Sequence, residues 1–281
     1  MLSASIALLL LTILFETESR SKTLKQKIKN IFSIDGGEGD TTYLLLHGLG
    51  ATGDVWHGVR DQIEENKLGR WIIPDMRGHG RSDWAKSYGL GEHSNDIAEL
   101  VRDREKIVII GHSMGGLIGL FLATGWFGLN IIGMIVIGTI IKWSSDETKR
   151  YSALAGKPIR WFDSRDQALE RYLKVSGLLG LVSSESSQTT SGIVEENGKF
   201  RLAADNATGT IGGPWMSMLI DIVDCPLILA AGEYDPIVTH EHYRSFDKGA
   251  VMIPGVGHNA HVEDPTAITD LIRKLNKQSK F

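Results

Sequence analysis

An α/β class, with a mostly parallel twisted sheet and helices on both faces, is predicted by three features of this sequence. Short apolar runs alternate with longer stretches of helical spacing. The runs are apolar throughout, as strands covered on both faces require. One segment of different texture, residues 143–215, is richer in Ser, Thr and Gly and separates an earlier set of runs from a later one.

The elements follow in order. Tyr43, Leu44, Leu45 and Leu46 form a short apolar run that ends at His47-Gly48 and reads as a buried strand. Trp71, Ile72 and Ile73 read the same way, with Pro74 at the strand end. Residues 93–104 carry Ile97, Leu100 and Val101 at helical spacing. Residues 106–110 form a further strand, followed at once by Gly111-His112-Ser113-Met114-Gly115. Residues 116–127 then read as a helix, with Gly128 as its stop. Residues 131–137 give another strand, and strand character returns at 226–231 and 250–253. The chain closes on a helix with Asp264 as N-cap, Pro265 at its first position, and Ile268, Leu271, Ile272 and Leu275 on its apolar face. The expected organisation is a sheet domain from residues 21–142 and 216–281, with a helical cap inserted at 143–215. Ser164 would cap a helix in that insertion, and residues 183–192 read as loop.

Composition narrows the class of partner. The chain has 281 residues, enough for one large core, and a formal net charge of −4. With no dense basic patch, a nucleic-acid partner is not expected. Cys225 is the only cysteine, so neither an internal disulfide nor a cysteine-based zinc site can form. Its apolar surroundings suggest a structural thiol. Residues 1–15 are apolar apart from Ser3, Ser5 and Thr12, but shorter than a bilayer span. The first basic residue, Arg20, follows that run, whereas a secretory signal carries its positive charge before it. An atypical signal or anchor, a helix on the protein or on a membrane surface, and a mis-assigned start all stay open for residues 1–20. The compartment stays equally open between cytoplasmic, membrane-associated and secreted.

Gly111-His112-Ser113-Met114-Gly115 matches G-x-S-x-G, which chance alone can supply. Its context gives it weight. Ile107, Val108, Ile109 and Ile110 precede it and a helical pattern follows, so the serine stands on a sharp strand-to-helix turn. A nucleophilic serine needs such a turn to stand clear of the sheet, and close neighbours there must be glycine.

With these residues in view, the sequence resembles the α/β-hydrolase superfamily. His47-Gly48-Leu49-Gly50 resembles its oxyanion loop, and Asp75-Met76-Arg77-Gly78-His79-Gly80-Arg81-Ser82 its D-x-R-G-x-G-x-S turn. Gly232-Glu233-Tyr234-Asp235-Pro236-Ile237 resembles its acid turn, and Gly257-His258 its histidine loop. The five blocks stand in the family's order. The resemblance implies a Ser-acid-His triad of Ser113, Asp235 and His258, with backbone N–H groups of Leu49 and Met114 as the oxyanion hole. It implies no metal or organic cofactor.

Rivals exist for each role. His47 and His79 lie in turns where a structural role fits better, and His240 and His242 read as surface residues. His261, three residues beyond His258, is not excluded by spacing. Asp146 follows the strand ending near Ile141 and is the alternative acid; Asp221 and Asp224 precede their strand and face the wrong end. The expected reaction is hydrolysis of a carboxylic ester through an acyl-enzyme. Lactone, amide or carbon–carbon bond hydrolysis, perhydrolysis and a non-catalytic ligand-binding role remain as alternatives. The expected partner is a small, apolar acyl compound. Trp143, Trp161 and Trp215 are the pocket candidates, although simple packing of the cap would also explain such aromatics.

Overall fold

The computed structural model describes residues 30–278, Lys248 excepted. The apolar N-terminal segment expected at 1–20, and the membrane contact expected of it, therefore fall outside the described residues. Among the described residues no helix is long and apolar enough to cross a membrane.

In chain order the elements are β1 (Ser33–Gly36), β2 (Thr41–Leu46), α1 (His57–Glu65), β3 (Arg70–Pro74), α2 (Leu90–Leu100), β4 (Lys106–His112), α3 (Met114–Leu122) and β5 (Ile131–Ile137). Then come α4 (Ser145–Ala155), α5 (Arg165–Ser176), β6 (Ile193–Glu196), β7 (Lys199–Leu202), α6 (Met218–Ile222), β8 (Leu227–Gly232), α7 (His240–Arg244), β9 (Val251–Ile253), α8 (Ala260–Glu263) and α9 (Pro265–Gln278). Seven strands form one sheet in the order β1-β3-β2-β4-β5-β8-β9. Only β1 runs antiparallel to its neighbour.

Two apolar layers hold this sheet, and strand alternation divides the residues between them. Leu44, Leu46, Ile107, Ile109, Met134 and Val136 face one layer with Ile97 of α2 and Leu117 and Ile118 of α3. Tyr43, Leu45, Val108, Ile110, Ile135 and Ile137 face the other, with Val59 and Ile63 of α1 and Ile268 and Ile272 of α9. Because both faces are covered, both alternating sets are apolar, and the strands read as continuous runs. Each such side chain, fully buried, contributes roughly 1.5–3 kcal/mol.

Helix ends follow their local chemistry. The Ser164 hydroxyl accepts from the Gln167 amide at the start of α5. Asp264 Oδ1 accepts from the Ala267 amide at 2.9 Å at the start of α9. At α4, Ser144 and Glu147 form a reciprocal capping box.

The segment between β5 and β8 contains α4, α5 and α6, as a helical insertion would. It also contains an antiparallel ribbon, β6 paired with β7, that the sequence reading did not include. Part of the stretch read as loop is a 3-10 helix, Ser187–Gly192. The Asn259 amide donates to the Gly177 carbonyl at 3.0 Å, tying the insertion to the loop after β9.

Candidate active site

The sheet register brings several strand ends to one level. Leu46 of β2 lies beside Gly111, His112 of β4 beside Ile137, Ile137 of β5 beside Ala230, and Gly232 of β8 beside Ile253. Ser113, Asp235 and His258 all follow these C-terminal ends, where open α/β sheets bind ligands.

Ser113 sits between β4 and α3 at φ +50° and ψ −113°. A non-glycine residue is strained there by about 1–3 kcal/mol, and packed surroundings must hold it. Its amide donates to the Ile137 carbonyl at 2.9 Å, extending the β4–β5 ladder by one bond. Its carbonyl accepts from the Thr139 hydroxyl at 2.9 Å, and the Thr139 amide donates to the buried Tyr243 hydroxyl. Burial pushes the Tyr243 phenol up, so it stays a neutral partner.

Asp235 follows β8. Its Oδ1 accepts from the amides of Ile237 and Val238 at 2.8 and 3.1 Å. The same carboxylate faces His258 Nδ1, with Oδ2 at 2.9 Å. An ionised carboxylate can only accept, so opposite it Nδ1 carries the proton and Nε2 is left as the basic nitrogen. The Asp235 side chain is wholly buried, while that of His258 is 17% exposed. Gly138, at φ +58°, lies against both: a Cβ there would stand 3.1 Å from the imidazole and 3.2 Å from Asp235 Oδ2. Gly138 directly follows Ile137, which accepts the Ser113 amide. The Asp235–His258 pair and the backbone of Ser113 therefore meet at the end of β5.

A second imidazole layer lies behind His258. The His258 carbonyl accepts from His112 Nε2 at 3.0 Å, and the two rings lie 4.7 Å apart. His112 in turn lies 4.4 Å from His261, which packs at the same distance on Trp56. His261 is fully buried and burial drops its pKa to about 3. Neither of its ring nitrogens has a hydrogen-bond partner among the described residues. His258, not His261, therefore has the carboxylate. The alternative acid, Asp146, lies exposed in the first turn of α4.

The loop after β2 is fixed by the turn after β3. The Gly50 amide donates to His79 Nε2 at 3.1 Å, and the Gly53 amide donates to Asp75 Oδ1 at 2.7 Å. The Met76 amide donates to His47 Nε2 at 2.9 Å. Burial lowers the pKa of both His47 and His79, which keeps them neutral acceptors. Burial would raise the Asp75 carboxyl, but hydrogen bonds from Arg81 and the electrostatic pull of His47 and Arg81 together outweigh it and hold the group below its ordinary value. These contacts position Leu49. Neither its amide nor that of Met114 has a protein acceptor among the described residues.

Leu49, Ser113 and Met114 line a small cavity of about 30 Å³ with Leu117, Ile140, Trp143, Tyr151 and Ile211. Of the three predicted pocket tryptophans, only Trp143 is here. Trp161 and Trp215 are each 43% exposed and line neither this cavity nor the larger one beside it. Trp161 instead lies beneath the Arg201 guanidinium. The sequence reading missed Tyr151, Ile140 and Ile211. Their helical and loop positions carry no motif; only the fold brings them over Ser113. The larger cavity, about 760 Å³, shares Leu49 and Gly209 with the small one. Cys225, half-buried before β8, lies outside both cavities, and burial pushes its thiol up to about 11.

This sheet and elbow define an α/β hydrolase. The chain belongs to the alpha/beta hydrolase family, whose model matches residues 43–271. It is 25% identical over 259 residues to a pimeloyl-[acyl-carrier protein] methyl ester esterase of Yersinia enterocolitica, covering 86% of this chain and 96% of the relative. Lipase LipV of Mycobacterium tuberculosis is 31% identical over 90 residues, 31% of this chain and only 33% of the lipase. The chain thus spans about a third of that relative's length. Among solved structures, the thioesterase domain from the curacin biosynthetic pathway superposes with a TM-score of 0.72 at 19% identity, covering 87% of this chain and 95% of that domain.

Proposed function

We propose that the protein hydrolyses a carboxylic ester through an acyl-enzyme formed on Ser113. The observation that carries this reading is the Asp235–His258 pair, which turns His258 Nε2 away from the carboxylate at the same sheet edge that carries a serine on a strained elbow. Ser113 Oγ attacks the ester carbonyl while His258 takes its proton. Asp235 holds the imidazole in the required tautomer and stabilises the imidazolium that forms. The amides of Leu49 and Met114 supply the donors for the developing oxyanion, each such donor contributing about 3–4 kcal/mol. The proton then passes to the leaving alkoxide, and water, activated by the same histidine, releases the acid and restores Ser113. The apolar wall of Leu117, Ile140, Trp143 and Ile211 suits a short apolar group beside the scissile bond.

The test is p-nitrophenyl acetate hydrolysis by the protein and by Ser113→Ala, together with labelling by a fluorophosphonate. Activity that falls at least a thousandfold in the variant, with labelling confined to the parent, is the expected result. Full activity in Ser113→Ala would overturn the mechanism. A folded parent that neither labels nor turns over would favour a ligand-binding role.

A further inference from the structure

The two cavities differ in chemistry as well as size. The small one over Ser113 is walled by apolar and aromatic side chains and has room for about one or two water-sized groups. The large one also has apolar walls, among them Ile159, Phe162 and Val175, but adds Lys157, Arg160 and Arg171, with Asp205 as its only acid. Asp205 is already committed: its Oδ2 accepts from the Tyr88 hydroxyl at 2.7 Å and its Oδ1 from the Ala207 amide at 3.0 Å. None of the three cations has a carboxylate within ion-pair reach among the described residues. Nearby cations do: Lys174 pairs with Glu170, and Lys199 with Asp163. Arg160 lies over the Phe162 ring, 4.9 Å from its centroid, which orients the guanidinium without neutralising it.

Three cations lining one cavity contrast with a chain whose formal net charge is −4. All three side chains are exposed, and a concave surface carrying one sign of charge still concentrates ligands of the opposite sign, in a salt-dependent way. Guanidinium groups also match phosphate and carboxylate oxygens in pairs.

We propose that the substrate is two-ended: a short apolar group in the cavity over Ser113 and an anionic group, phosphate or carboxylate, held in the chamber by Lys157, Arg160 and Arg171. This rests on the ester-hydrolase reading and specifies its substrate class. The scissile carbonyl lies at Ser113, and the substrate passes Leu49 and Gly209, the residues both cavities share. Chemistry at the carbonyl is unchanged: the acyl–oxygen or acyl–sulfur bond breaks, and the leaving group takes the proton from His258.

Two matched pairs of probes test it. S-acetyl-4′-phosphopantetheine and S-acetylpantetheine differ in one phosphate; monomethyl adipate and dimethyl adipate differ in a free carboxylate. The expected result is a kcat/KM for one anionic member at least about tenfold above its neutral counterpart, an advantage that shrinks as salt is added. The pair that shows it identifies the anion. In an Arg160→Gln, Arg171→Gln double variant that advantage falls about tenfold or more, through KM, and Lys at both positions retains most of it. A parent that cleaves p-nitrophenyl acetate but shows no anionic advantage in either pair overturns the inference. So does an advantage that the double variant keeps. Both outcomes leave the Ser113 mechanism standing, whereas loss of that mechanism is read separately from Ser113→Ala.

Discussion

Asp235 faces His258, and the role proposed for it can be isolated from its bulk. The Ile237 and Val238 amides hold one oxygen while the imidazole faces the other. Asp235→Asn preserves the shape but removes the charge and can present an amide N–H to Nδ1, which favours the wrong tautomer. We expect kcat to fall by roughly 10⁴ with the fold unchanged by circular dichroism. A loss under tenfold would place the acid elsewhere. At this scale the sequence was most legible where a motif and a strand end coincided: Ser113 stands on the elbow and Asp235 faces His258. It could not separate His258 from His261, because three residues of spacing say nothing of which ring meets a carboxylate. It also overvalued Trp161 and Trp215, since a large aromatic looks the same in sequence whether it lines a cavity or lies on a surface.

The turn from β4 into α3 depends on how closely backbones approach. A Cβ at Gly111 would stand 2.5 Å from the Gly115 carbonyl oxygen, and one at Gly115 would stand 2.2 Å from the Leu46 carbonyl oxygen. Both obstacles are backbone in central strands or at the helix start, so neither can rotate away. Gly115→Ala should therefore destabilise the protein by about 3 kcal/mol or more, read as a lower urea midpoint with an unchanged slope. An unaltered midpoint would mean that α3 can slide off β2 at little cost. The central strands were legible because parallel strands covered on both faces become continuous apolar runs. The ribbon β6–β7 was overlooked because its strands are short and partly exposed. A signal for it was present: Asn197 and Gly198 both have positive φ, the residue pair a two-residue hairpin turn favours. Strand β1, half-exposed at the sheet edge, gave no comparable run.

Across the whole molecule, the site's scaffold is built on neutral histidines, and this should make stability sensitive to mild acid. His47, His79, His93, His112 and His261 are all buried, and burial lowers the pKa of each. For His93 and His261 the folded value is about 3, against an ordinary value of 6.5. Above pH 6.5 these rings are neutral in both folded and unfolded chains, and their full contribution to stability is present. As pH falls below 6.5 the unfolded chain gains protons that the folded chain refuses, so stability is lost until pH reaches the folded value near 3. Each such histidine costs about 1.4 kcal/mol per pH unit once well below 6.5. His93 and His261 together thus remove roughly 3 kcal/mol per unit, from a total that for ordinary domains is about 5–15 kcal/mol. The urea midpoint should drop steeply between pH 6.5 and 5, before most carboxylates titrate. His93→Leu should flatten that slope by one histidine's share. A midpoint that stays level from pH 7 to 5 would mean that these rings take up protons in the folded state and that the imidazole layer behind His258 is not held neutral.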